Sequence, residues 1–136
     1  MRNGAPSRAV IDTSVFVSIE QGRPLRREVF PATGAISVVT KAELRAGVLA
    51  AKDIATRDRR LDTLDAVAGI IVLPVDEEVA KAWAQMRAYL TAADQRVNVN
   101  DMWIAATAAA NEIPVLTQDA DFNALSGIAG LTVIPV

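Results

Sequence analysis

Sixteen acidic residues occur in this chain of 136, and four of them stand where they could do chemistry together. Asp12 ends an apolar run in RAVIDTSVF, Glu43 falls in TKAEL, Asp101 in NVNDMWIAATA and Asp119 in VLTQDADF, with Asp121 two residues on. Asp53, Asp58, Asp62, Asp65, Glu77 and Glu78 are interleaved with Arg and Lys in helical stretches and read as solvated faces. There is no His and no Cys. Their absence excludes Ser-His-Asp and Cys-His catalysis, disulfides, and thiolate or imidazole metal sites. Chemistry must fall to carboxylates, hydroxyls, lysine or a hard metal ion.

To act together, these acids need elements that deliver them to one place. Short β-branched runs at 8–12, 35–39, 70–73, 114–117 and 131–135 read as strands, apolar almost throughout and so covered on both faces. Helical stretches at 41–52, 58–68, 77–93 and 101–111 fill the gaps. Val79, Trp83, Met86 and Leu90 make one helical stripe, and Leu61, Leu64 and Ala68 another. This alternation predicts right-handed βαβ units and a mostly parallel sheet with helices on both faces. In such a sheet, strand ends carrying Asp12 and Asp119 share one edge, and the N-termini of returning helices carry Glu43 and Asp101 to it. That carboxyl edge, at the topological switch point, is where open α/β sheets bind ligands.

Each acid also has a plainer explanation. Thr40-x-x-Glu43 fits a capping box, and Asp12, Asp119 and Asn100-Asp101 fit helix caps. Convergence is costly, however. Two carboxylates ~4 Å apart repel by about 4 kcal/mol at an effective dielectric of 20. Protons or a divalent cation must neutralise them, and an all-oxygen site favours Mg²⁺ or Mn²⁺. Ser14 and Thr117 are placed to hydrogen-bond the acids or a metal-bound water.

The length suits one domain over residues 1–136, with 1–7 expected as a flexible tail. No apolar run approaches the ~18–20 residues of a membrane span. The start, MRNGAPSR, lacks the apolar centre of a secretory signal, so a cytoplasmic protein is expected. The formal charge of −2 excludes little, because clustering matters more than the sum.

VIDTSVF, SVVTKAELRAG, NVNDMWIAATAAANEIPVLTQDADF and LTVIPV, in that order, resemble the PIN-domain ribonucleases, and within them the VapC toxins of bacterial toxin–antitoxin modules. The likeness runs from about residue 8 to 136. It implies a three-layer α/β/α sandwich with a parallel sheet of about five strands, and Mg²⁺- or Mn²⁺-dependent RNA cleavage. It also implies a homodimer inhibited by a VapB-type antitoxin. By motif, Asp12, Glu43, Asp101 and Asp119 match the family's four acids, with Asp121 as the other reading of the fourth. Ser14 and Thr117 match its polar helpers.

An acidic site needs basic residues to draw RNA. Arg45, Lys52 and Arg57 follow Glu43, with Arg59 and Arg60 after them, and Arg23, Arg26 and Arg27 form a second cluster. Phosphate contact and surface pairing with Asp53, Asp58 and Asp62 both fit; Arg45 is the first candidate for phosphate. Val15, Phe16 and Ile19 suit either a groove for an amphipathic partner helix or this chain's own core. Two other functions fit edge acids. A phosphoryl-transfer protein needs either a Lys after a late strand or an early D-x-D, and a catalytically inactive PIN-like binding module would have lost an acid. Lys41, Lys52 and Lys81 are the only lysines, and no acid is missing.

Overall fold

A computed structural model describes residues 4–136. Five strands, β1 (Arg8–Ile11), β2 (Thr33–Ser37), β3 (Ile71–Leu73), β4 (Val115–Thr117) and β5 (Val133–Pro135), form one parallel sheet in the order β3-β2-β1-β4-β5. The helices are α1 (Thr13–Glu20), α2 (Val38–Ala50), α3 (Ile54–Ala66), α4 (Glu77–Ala92) and α5 (Val99–Ala110), with short 3₁₀ turns between other elements. The chain starts at the centre, winds outward through β2 and β3, then returns to add β4 and β5 on the other side. The switch in direction falls between β1 and β4.

Successive residues of β1 serve opposite cores, as strand geometry demands. Val10 packs with Met86 and Leu90 of α4 and Ile104 of α5. Ile11 packs with Phe16 of α1, Leu44 of α2 and Leu64 of α3. Helices therefore cover both faces, giving the expected three-layer α/β/α arrangement. β3 departs from the expectation of full cover. It is an edge strand, and Ile71 and Val72 remain 53% and 39% exposed.

Four local differences bear on the site. β2 ends at Ser37, whose hydroxyl caps α2 by accepting from Val39 N at 3.1 Å, so the helix begins three residues before the expected position. Thr40 and Glu43 are thus helix-interior, and the capping box is not formed. The inward face of α3 carries Thr56, Arg60, Thr63, Leu64 and Val67, while Leu61 and Ala68 face outward. Val15 and Phe16 are core residues and only Ile19 of that trio is exposed. Of the expected tail, residues 1–3 lie outside the described residues. Pro6 is buried, and the Pro6 and Ser7 carbonyls accept hydrogen bonds from Ala32 N and Thr33 N, extending the β1–β2 pairing.

Candidate active site

Asp12 follows β1 and Asp119 follows β4, the two strands that flank the switch point. Glu43 projects from the second turn of α2, and Asp101 from the first turn of α5. All four line one cleft of ≈ 430 Å³. The capping alternatives divide by residue. Asp12 caps α1 and Asp119 caps the following 3₁₀ turn, through Ser14 N at 3.4 Å and Asp121 N at 2.9 Å. The cap of α5 is instead Asn98, which accepts from Asn100 N and Asp101 N. Asp101 and Glu43 have no capping duty.

Asp12 is 1% exposed, and its two oxygens differ. Oδ2 accepts from Ser14 Oγ at 2.6 Å and Thr117 Oγ1 at 2.9 Å. Each hydroxyl has one proton, and the charged acceptor takes it. The same hydroxyl oxygens accept from Gln118 N at 3.0 Å and Asp119 N at 2.9 Å, tying the end of β4 to the end of β1. Oδ1 is buried and has no hydrogen-bond partner. Burial raises the Asp12 pKa above the ordinary carboxylate value, against the lowering effect of the Ser14 and Thr117 hydrogen bonds.

Glu43 Oε1 accepts from Thr13 Oγ1 at 2.7 Å, and Oε2 from Asn100 Nδ2 at 3.3 Å. Thr40 Oγ1 lies 2.9 Å from Thr13 Oγ1 and fixes that hydroxyl in turn. Asp101 is half-buried, and its pKa is pushed up to about 7. Desolvation is the main cause, followed by the charges of Asp12, Asp119, Glu43 and Asp121 in that order. Asp119 lines the cleft, whereas Asp121 does not and acts on Asp101 least of the four. Ser14 and Thr117 both act on Asp12 rather than facing one another alone. Arg45, Lys52 and Arg57 are exposed and do not line the cleft; Arg23 does. Thr13 and Gln118 are polar partners that the sequence pattern does not single out, and Asn100, expected as part of a helix cap, instead donates to Glu43.

The arrangement suits a hard divalent cation. Its donors are all oxygen, one buried carboxylate oxygen lacks any partner, and the acids raise one another's charging cost. Among the described residues no three acids stand close enough to grip one ion unaided. Mg²⁺ keeps several of its waters and takes only one or two carboxylates directly, so an open cleft of separated acids matches it.

Fold and site together define an α/β protein with a cleft at its switch point that four carboxylates line. The chain belongs to the PIN-domain family, whose model matches residues 9–128, and within it to the VapC group. It is 49% identical to Ribonuclease VapC5 of Mycobacterium tuberculosis, over 96% of this chain and 97% of that protein. It is 43% identical to Ribonuclease VapC4 of the same organism, over 93% and 97%. The crystal structure of VapBC-5, a toxin–antitoxin system of Mycobacterium tuberculosis, matches with a TM-score of 0.90 and 46% identity, over 96% of this chain and 100% of that one.

Proposed function

We propose that this chain is a metal-dependent endoribonuclease, the toxin of a cytoplasmic toxin–antitoxin pair, acting as a homodimer and silenced by a VapB-type antitoxin. The observation that carries the reading is the unpartnered, buried Oδ1 of Asp12 at the switch point, among three further carboxylates. The names of the VapC relatives and the VapBC-5 structure support RNA as substrate and an antitoxin as partner. No helix among the described residues is long and apolar enough to cross a membrane.

Asp12, Asp101 and Asp119 would hold Mg²⁺ or Mn²⁺ between them, partly through the ion's own waters, with Glu43 beside them. When bound, the ion supplies charge stabilisation at the scissile phosphate and a water of lowered pKa. Ser14 and Thr117 turn Oδ2 of Asp12 away from the ion's role and leave Oδ1 for it. Thr13 and Asn100 orient Glu43. Glu43 and Asp101, free of capping duty, are the groups placed to take the attacking water's proton. Asp121 is the helper whose amide fixes Asp119. The receiver-type alternative needs a lysine among the acids, and Lys41, Lys52 and Lys81 do not line the cleft.

The test is expression of the full chain in cells with and without a VapB-type partner, with sequencing of new RNA ends. Growth arrest and defined cleavage sites, both relieved by the partner, are expected. Normal growth with unaltered RNA would refute the toxin reading.

A further inference from the structure

Arg60 stands on the inward face of α3, at a helical position where Leu64 and Val67 supply core contacts. An arginine on a packed face needs a partner for its charge. Here Nη1 donates to the Gly47 carbonyl at 2.7 Å, and no carboxylate pairs with it: among the described residues the ion pairs are Arg26–Glu28 and Lys81–Glu78. The guanidinium is thus held in place by a neutral group, with donors to spare, in a groove that Glu20 and Glu43 also line and with the charge of Asp53 acting on it from α3's own start. It lines a groove of ≈ 220 Å³ that shares Thr13, Val17 and Glu43 with the acidic cleft, so the two spaces adjoin. Arg23 lines the cleft itself and is likewise unpaired.

We propose that Arg23 and Arg60 mark the path of the RNA backbone, binding phosphates beside the scissile one as the strand leaves the carboxylates for the α2–α3 groove. The proposal rests on the ribonuclease reading and adds to it the course of the substrate track. A guanidinium suits this task, because its planar fork matches phosphate oxygens and it is charged at any working pH. Arg60 is pre-positioned by Gly47, so less side-chain freedom is lost on binding. The other basic residues near Glu43 in sequence, Arg45, Lys52 and Arg57, are exposed and line neither space.

The experiment measures binding of a fluorescent single-stranded RNA to full-length protein carrying Asp101→Asn, expected to block cleavage and checked for intact RNA, across a KCl series with Mg²⁺. Arg23→Gln and Arg60→Gln should each lower the slope of log affinity against log salt by about 0.7, the value for one phosphate contact on a single strand. The loss should be equal on oligouridine and oligoadenosine, since phosphates carry no sequence. Arg60→Lys should restore the slope, and Arg45→Gln should leave it unchanged. If Arg60→Gln shows no cooperative melt, Arg60→Met, which keeps the packed stem, replaces it. Parent protein that binds RNA with a slope unaltered in both variants overturns this proposal alone. Parent protein that binds no RNA at any salt overturns it together with the ribonuclease reading.

Discussion

Replacing Asp101 by Asn removes the carboxylate that its neighbours most strongly oppose. Its pKa in the folded chain is about 7 against an ordinary 3.8, with burial the first cause and the four nearby acids the rest. The folded state therefore holds this proton more tightly than the unfolded chain. Between about pH 4 and 7 the native state binds more protons, so stability falls as pH rises and levels off above 7. Fully buried, a shift of that size would be worth about 4 kcal/mol. Asp101 is only half-buried, and solvent screening reduces this to about 1–2 kcal/mol. For a chain of this length that corresponds to about 4–7 °C in melting temperature. Thermal unfolding in chelator at pH 5, 6, 7 and 8 provides the assay. Wild type should lose stability over that range, and Asp101→Asn should be the more stable protein at pH 8, with a flatter profile. Asp53, whose pKa is lowered by hydrogen bonds from Thr56, changes charge below this window and does not obscure it. Asp12, also raised, leaves a residual slope of the same sign in the variant. A wild type that grows more stable from pH 5 to 8, or a variant no more stable at pH 8, would refute the reasoning.

Adding Mg²⁺ at a hundredfold excess over its dissociation constant should stabilise wild type by about 2.7 kcal/mol, read as a rise in melting temperature. Asp12→Asn should abolish most of that rise, and an undiminished rise would remove Asp12 from the cation site. Thr117→Val takes one donor from buried Asp12 Oδ2 and the acceptor of the part-buried Asp119 N, and should cost about 1–3 kcal/mol by denaturant unfolding. A neutral result there would refute a stabilising role for the Thr117 hydroxyl.

Strand order along the chain, parallel sheet and the edge holding the acids were legible in the sequence, because continuous apolar strands alternating with helical stripes admit few topologies; α1, between β1 and β2, was not among the expected helices. Asp12 and Asp119 were the most readable, since each lies within two residues of a strand's end. The helix starts were misjudged by two or three residues at α2 and α5. Ser37 and Asn98 supply the caps, whereas Glu43 and Asp101 looked like caps by spacing. The error concealed the strongest local argument, which is that those two acids have no structural duty. The tie between Asp12 and Thr117 spans 105 residues, and Thr13 to Glu43 spans 30, so no local pattern encodes either. Basic residues were the least legible. Sequence proximity to Glu43 favoured Arg45, but its helix turns that side chain outward. Arg60, beyond the next turn, is brought inward by the register of α3.

The most direct test of the central claim is cleavage of an end-labelled RNA by the purified full chain, stripped by chelator and then given one metal at a time. Mg²⁺ and Mn²⁺ should each restore cutting at discrete positions. Ca²⁺, larger and looser in its coordination, should bind without supporting it well. Asp12→Asn, folded by its melt, should stay silent with every metal. Undiminished cutting in excess chelator, or full activity of folded Asp12→Asn with Mg²⁺, would contradict a cation held at the switch point by these carboxylates.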